Sequence, residues 1–362
     1  MTFRWTDTLK EPLASAARGR EWNRVEEARE GGWLLLAQEG EGDGVAWYRL
    51  RKHEREVLPI SSFEDRRLPR LSEVVSRWFR LGLAVELLAW RVGSRAIFQL
   101  RGAGGPCIAK LYRKDRQILD RWTHLPSDPR GPWRVPRILD WDPERILLSV
   151  EFCPGVSLNR RWLAGEGEAG DGERVASLLE WLAAHPPPAG FPEHRIKDEA
   201  RVLEERLAVF ERTLVDAQGK ARELTGRVLA ALAEVSSEAP LLCHRDFHDK
   251  QVLLDGEKGC LIDLDLAAAG PPALDVGNII AHLRLRALKG ARLPWREIAA
   301  GVVERAVPAR GIEASLSAWT ASTLLRLGLI YARRRRTKDL IDNLLASTEE
   351  ALERRGEWKG IL

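Results

Sequence analysis

Residues 241–266 read Leu-Leu-Cys-His-Arg-Asp-Phe-His-Asp-Lys-Gln-Val-Leu-Leu-Asp-Gly-Glu-Lys-Gly-Cys-Leu-Ile-Asp-Leu-Asp-Leu. Two short apolar, strand-like runs here surround a dense set of His and Asp. His244-Arg245-Asp246 follows the first run, so Asp246 sits on a loop with a rigid base. Gln251 comes five residues later, where its amide oxygen can reach a metal ion. Asp263 ends the run Cys260-Leu-Ile and projects into the same mouth. Phosphoryl transfer needs one carboxylate to orient or deprotonate the attacking hydroxyl and others to hold a divalent ion on the phosphates. These residue types at this spacing supply both.

Around this insert the chain divides in two. Val85–Trp90, Ala96–Leu100 and Cys107–Tyr112 are short apolar or alternating runs separated by tight turns, which predicts an antiparallel meander. Ile146–Phe152 is a further strand ending at Pro154-Gly155. From about Leu158 the pattern turns helical. Glu173–His185, Glu199–Leu214, Ala221–Val235, Trp295–Arg305 and Ile312–Arg333 place apolar residues at three-and-four spacing. In the first 75 residues or so, Trp33–Leu36 and Val45–Leu50 flank the turn-rich stretch 39–44 and read as a hairpin. The plan is two-lobed, strands first and helices after.

Composition narrows the classes further. The chain has 362 residues, 44% hydrophobic and 30% charged, enough apolar content for a sizeable core. Lys plus Arg (57) nearly balances Asp plus Glu (53), so no dense basic stripe points to nucleic acid, and no nucleic-acid partner is expected. Cys107, Cys153, Cys243 and Cys260 form no C-x-x-C pair, which argues against a disulfide framework or structural zinc and fits a reducing cytoplasm. No uncharged apolar run is long enough to span a membrane, and residues 1–20 carry no signal-peptide core. A cytoplasmic protein without membrane partners is expected; its oligomeric state is not readable. Gly165–Gly170 spells G-x-G-x-x-G, but it follows a helical stretch and carries Glu166 and Glu168, so it reads as a surface linker.

His244–Gln251 together with Ile262–Asp265 resembles the H-x-D-x-x-x-x-N and I-D-x-D elements of the aminoglycoside phosphotransferase/choline kinase-like family. That family shares its fold and ATP chemistry with the protein kinases. Gly270–Asp275 resembles the family's G-D-P-x-x-D stretch, with Pro271 at its first acidic position and the final aspartate in a structural role. The resemblance runs, more loosely, from about Val85 to Leu283.

It implies an α+β, bilobal, protein-kinase-like fold with a small antiparallel-sheet lobe at 76–151 and a larger helical lobe at 152–362. Residues 1–75 form a strand-containing extension or cap. Lys110 in Cys-Ile-Ala-Lys matches the phosphate-binding lysine. Gly93 and Ser94 stand where the phosphate-covering loop belongs. Leu148–Phe152, with Glu151, resembles the interlobe hinge that would hold adenine. Asp263 and Gln251 would hold magnesium, with Gln where the family has Asn; Asp265 touches either the metal or its neighbours. His248 reads as a histidine bracing the loop. No Glu lies between Lys110 and Pro126, so Asp120, or else Asp115, is the candidate partner of Lys110. The cofactors implied are ATP and Mg2+.

The expected activity is transfer of the γ-phosphate of ATP to a hydroxyl of a small molecule by a small-molecule kinase, with Asp246 as the base. Acids and bases alternate through the C-terminal segment, including Arg333–Arg336, instead of forming an acidic wall. That favours a neutral or anionic acceptor, a sugar or sugar-like metabolite, over a polycation. The alternatives are a catalytically weak nucleotide-binding regulator and an aminoglycoside kinase.

Overall fold

The computed structural model describes residues 65–214, 217–235, 239–332 and 338–353, and the backbone of four earlier strands. Those strands are β1 (Glu21–Glu27), β2 (Trp33–Gln38), β3 (Val45–Leu50) and β4 (Val57–Pro59), paired antiparallel in that order. The hairpin read from the sequence is β2–β3, with Trp33 opposite Leu50.

Helix α1 (Leu71–Arg80) precedes a second sheet built from β5 (Ala84–Arg91), β6 (Arg95–Gly102) and β7 (Gly105–Tyr112). The expected meander is present, with Phe98 opposite Leu87 on one side and Ala109 on the other. After α2 (Ile118–Thr123) and β8 (Trp133–Arg134), strands β9 (Ile138–Asp142) and β10 (Leu147–Glu151) complete a five-stranded sheet ordered β5-β6-β7-β10-β9. One face of α1 supplies Leu71, Val74, Val75 and Trp78, which bury against Ala96, Phe98, Leu100, Ala109 and Leu111. Trp78 meets the Phe98 ring edge-on, 5.2 Å between centroids, a favoured aromatic geometry. Residue 75 lies inside α1, so the expected boundary at 75/76 cuts through an element that packs as part of this sheet's core.

The second lobe begins with β11 (Val156–Ser157) and α3 (Leu158–Leu163), whose first turn is capped by Ser157 accepting from the Arg160 N–H. Helices α4 (Asp171–Ala183), α5 (Ile196–Thr213) and α6 (Gln218–Ala233) follow. The polar insert then folds as β12 (Leu241–Cys243), β13 (Val252–Asp255), β14 (Lys258–Leu261), a 3-10 turn at Leu264–Leu266 and β15 (Ala268–Gly270). Helices α7 (Ala273–Leu288), α8 (Trp295–Arg310), α9 (Leu316–Tyr331) and α10 (Lys338–Glu353) close the lobe.

The periodic spacing finds α4, α5, α6, α8 and α9 to within a few residues at most ends. It does not find α7, which is buried on nearly every side and turns its polar residues Asp275, Asn278, His282 and Arg286 onto the His244–Asp249 loop, so that no solvent-facing side marks its period. Trp162, Phe210, Phe247 and Trp319 are among the largest fully buried side chains of this lobe. Strand β14 pairs with β8 and β13, and β13 with β11, so a small sheet joins the crossover from the first lobe to the insert. Among the described residues no helix is long and apolar enough to cross a membrane.

Candidate active site

Two loops at the ends of short strands carry the insert's acids. β12 delivers His244–Gln251, and β14 delivers Ile262–Asp265. The β13–β14 hairpin aligns them: Val252 lies opposite Leu261, and the Ile262 N–H donates to the Gln251 carbonyl at 2.9 Å. Gln251 and Asp263 therefore stand at the same end of one hairpin, as the spacing predicts.

Asp275, at the start of α7, braces the first loop from beneath. Its fully buried carboxylate accepts the His244 N–H at 2.6 Å and the Arg245 N–H at 2.8 Å. Arg245 has φ +68°, a left-handed conformation that costs a non-glycine residue on the order of 1–2 kcal/mol, and Asp275 helps to hold it there. His244 Nε2 meets the Ile262 carbonyl at 2.8 Å and ties the two loops together. Asp275 thus takes the structural role expected of it.

Asp246 is the next residue. Its side chain is 44% exposed, and its carboxylate makes no hydrogen bond among the described residues. His248 Nε2 lies 3.8 Å from Asp246 Oδ2. His248 stacks on His282 of α7 with centroids 4.5 Å apart, which fits a bracing histidine. Behind it, Asp249 is fully buried, held by Arg286 Nε at 2.6 Å and Nη2 at 3.0 Å and by Asn159 Nδ2 at 2.6 Å. Burial opposes its charge, but His248 and Arg286 hold the carboxyl well below the usual range. Neither Asp249 nor its donors Arg286 and Asn159 emerge from the sequence reading, because the two donor residues come from two other elements, α7 and α3.

Across the lobes, Lys110 of β7 is buried and reaches both acids of the second loop. Its ammonium lies 2.6 Å from Asp263 Oδ1 and 2.7 Å from Asp265 Oδ1. Asp265 also accepts from Tyr112 Oη at 2.7 Å, Trp122 Nε1 at 3.3 Å and Arg95 Nη1 at 2.6 Å. Arg95 extends to Asp263 at 3.4 Å. Burial opposes ionisation of Asp263, but the Lys110 and Arg95 charges hold its carboxyl far below the ordinary range. The same two aspartates raise Arg95 against the burial that disfavours its charge. Asp263 itself sits at φ +64°, at the foot of the 3-10 turn.

The expected partner of Lys110 is corrected by this geometry. Asp120 is exposed on α2, and its backbone carbonyl accepts from Thr123. Asp115 caps α2 by accepting the Ile118 N–H at 3.0 Å. Asp263 and Asp265 are the carboxylates that meet Lys110 among the described residues. Asp120 lies on the outward face of α2, while Trp122 from the same helix turns inward, its ring centroid 4.8 Å from the ammonium. Arg95 is the other residue missed; as the first residue of β6, it carried no signal beyond its place after the Gly93 turn.

The β5–β6 turn is closed by its own contacts. Gly93 has φ +71°, which suits glycine, and its N–H donates to Asp65 Oδ2 at 2.6 Å. The Ser94 N–H returns to the Arg91 carbonyl. Glu151 ends β10; its carboxylate pairs with Arg134 at 3.0 and 3.1 Å, and its N–H donates to the Arg137 carbonyl. Gly165–Gly170 joins α3 to α4, a linker as read. Arg333–Arg336 lies outside the described residues.

A five-stranded antiparallel sheet set over a helical lobe, with a lysine from one meeting an aspartate pair from the other, is the architecture of the protein-kinase-like phosphotransferases. A family model described as the phosphotransferase enzyme family matches residues 88–306, and the chain belongs to that family. Three solved structures support the fold. One is a choline/ethanolamine kinase family protein from Mesorhizobium loti, at 17% identity over 77% of this chain and 90% of that one, TM-score 0.53. Another is a thermostable mutant of the aminoglycoside phosphotransferase APH(4)-Ia in ternary complex with AMP-PNP and hygromycin B (17% identity, 77% and 96% covered, TM-score 0.53). The third is an amicoumacin kinase bound to AMP-PNP, Ca2+ and its ligand (12% identity, 78% and 96% covered, TM-score 0.51). No curated protein matches the chain by sequence.

Proposed function

We propose that this phosphotransferase moves the terminal phosphate of ATP to a hydroxyl of a small molecule. One observation carries the reading. Lys110 and the Asp263–Asp265 pair meet between the lobes at 2.6–2.7 Å, while Asp246, on the adjoining loop, keeps an exposed carboxylate with no hydrogen bond of its own among the described residues. In this reading Asp246 accepts the proton of the acceptor hydroxyl and aims its oxygen at the phosphorus. Lys110 binds the phosphates, supported by the packing that buries its stem. Asp263 and Gln251 offer oxygen donors only, which suits a hard divalent ion such as Mg2+. That ion would supply charge neutralisation on the phosphates. Glu151 and the β10–β11 crossover would border the adenine, and the turn at Gly93 and Ser94 would lie over the phosphates.

The acceptor we favour is neutral or anionic, a sugar or sugar-like metabolite. The support is that buried acids near the catalytic loop are already matched: Asp249 by Arg286, Glu199 by His194, Ser322 and Arg326. A polycation would find those charges spent. An antibiotic kinase is the second reading, favoured by the hygromycin B and amicoumacin complexes of the two solved relatives. The test is Mg-ATP turnover over a panel of sugars, amino alcohols and aminoglycosides, wild type against Asp246→Asn. General-base loss typically costs on the order of 10²–10⁴-fold in rate, and such a fall is expected. An unchanged rate removes Asp246 from the chemistry. Efficient phosphorylation of kanamycin-type compounds selects the antibiotic reading. Tight ATP binding without turnover on any acceptor would instead mark a regulator.

A further inference from the structure

Cys153 and Cys260 stand 107 residues apart in sequence, yet the Cys260 thiol meets Cys153 Sγ at 2.7 Å. A disulfide bond is about 2.05 Å long, so the two sulfurs need only a small approach to be joined. Both side chains are buried, and all four cysteines of the chain are free thiols. Neither thiol handles the proton, the phosphates or the metal in the chemistry proposed above, but each has a telling address. Cys153 lies on the segment that leads from β10 to β11, out of the first lobe's sheet and into the second lobe. Cys260 lies on β14, three residues before Asp263.

The backbone keeps these addresses together. Gly155 has φ +117°, and a Cβ there would come within 2.6 Å of the Leu254 carbonyl, so the crossover lies hard against β13. On the other side β14 pairs with β8, with Cys260 opposite Arg134. The hydrogen bond from Cys260, helped by the Arg134 charge, pulls the Cys153 thiol below its ordinary range against the effect of burial. Cys260 is pushed the opposite way by the same contact. Cys153 is thus the sulfur suited to attack first, and Cys260 stands beside it in position to resolve.

We propose that Cys153 and Cys260 form a reversible disulfide when the protein meets a hydroperoxide, and that this bond pins the interlobe crossover to the strand leading to Asp263. The Cys153 thiolate attacks the outer peroxide oxygen. The O–O bond breaks, leaving a sulfenic acid on Cys153 and an alkoxide, or hydroxide when the oxidant is hydrogen peroxide, which takes up the proton lost by the thiol and departs as alcohol or water. The Cys260 sulfur then attacks the Cys153 sulfur; the S–O bond breaks, and the hydroxyl leaves with the Cys260 proton as water. Two thiols lose two electrons in all, and the hydroperoxide gains them. A dithiol reductant reverses the bond by exchange. The covalent step does not depend on the phosphotransfer reading, whereas its effect on nucleotide does.

The full-length protein is treated with hydrogen peroxide, quenched, denatured and titrated for thiols. The count falls from four to two and returns to four with dithiothreitol, and peptide mapping finds residues 153 and 260 in one linked species. Oxidised wild type melts several degrees higher than reduced, because the bond closes a long loop. Cys153→Ser and Cys260→Ser each lose the linked species and this shift. AMP-PNP affinity differs several-fold between oxidised and reduced wild type and is indifferent to peroxide in Cys260→Ser. Four surviving thiols, or a link that maps to Cys107 or Cys243, overturn the bond. A mapped link with equal nucleotide affinity in both states overturns the regulatory half. Reduced protein that binds no nucleotide fails the phosphotransfer reading instead, and the thiol count still decides the bond.

Discussion

Lys110 donates to Asp263 across 2.6 Å, joining the third strand of the first lobe's meander to the turn after β14 in the second. The contact is nearly closed to water, since the Lys110 side chain is only 5% exposed. A strand and a loop far apart in sequence thereby hold their charges in one place.

Lys110→Met keeps the stem's bulk and removes the charge. Loss of a positioned donor to developing phosphate charge typically costs on the order of 10²–10³ in rate, and a fall of that size in kcat/KM for ATP is expected. Breaking a buried ion pair often costs about 3–5 kcal/mol. Arg95 still faces both aspartates, so the loss of stability in a denaturant melt should stay at or below the lower end of that range. A nucleotide affinity equal to wild type would remove Lys110 from the site.

Arg95 competes with any cation for Asp263 and Asp265, sitting 2.6 Å from one and 3.4 Å from the other. Arg95→Ala leaves more uncompensated negative charge where a divalent ion would bind. The half-saturating Mg2+ concentration for nucleotide turnover should therefore fall severalfold, with ATP held constant. A rise would mean that the guanidinium serves the phosphates and does not guard the carboxylates.

Much of this site was legible because its chemistry is contiguous. His244, Asp246 and Gln251 lie within one loop, and Asp263 ends the strand that pairs with the next one. Strand order alone located Lys110 on the third strand of the meander. What stayed hidden was contributed by unrelated elements. Asp263 and Asp265, in place of Asp120, partner Lys110 because α2 turns Ile118 and Trp122 inward and leaves Asp120 on its exposed face, a matter of tertiary placement that no local pattern records. The Arg286–Asp249–Asn159 cluster and the Cys153–Cys260 contact draw on residues 37 to 107 positions apart. Helix α7 escapes for a different reason: its polar residues are turned inward onto the catalytic loop, so no solvent-facing stripe marks the period that sequence reading relies on.

Asp275→Asn tests whether the catalytic loop is held from below. The carboxylate accepts two backbone N–H groups, and an amide can accept with only one end, turning its NH2 toward the other donor. An unsatisfied buried donor costs about 1–3 kcal/mol, so a stability loss in that range is expected. Arg245 would lose support for its left-handed backbone, and Asp246 would shift with it. We expect kcat to fall further than KM for ATP rises, since Asp275 touches neither Lys110 nor Asp263. Equal changes in both would point to general loosening instead of displacement of the base.

The acid limb of stability should report on Glu199. This α5 residue is buried; Oε2 meets His194 Nε2 at 3.0 Å, Oε1 accepts from Ser322 Oγ at 2.7 Å, and Arg326 lies 3.9 Å away. Burial alone would raise its pKa. Arg326, His194 and Ser322 outweigh it and bring the carboxyl from its ordinary 4.5 down to about 2. A folded-state pKa below the unfolded one means that the unfolded chain takes up the proton first as pH falls. The stabilisation is therefore complete above pH 4.5 and is lost progressively as pH drops towards about 2, an effect of about 3 kcal/mol. His194 acts earlier and in the same direction. Burial pushes its ring below 6.5, so the unfolded chain gains a proton that the folded one refuses, and stability begins to fall from that pH downward. Melting temperature followed from neutral pH into the acid range should show both losses in wild type. Glu199→Gln should melt lower at neutral pH and lose the steep segment below pH 4.5, because it has no proton to take up there. Parallel curves for the two proteins through that segment would show that Glu199 is not the group that titrates.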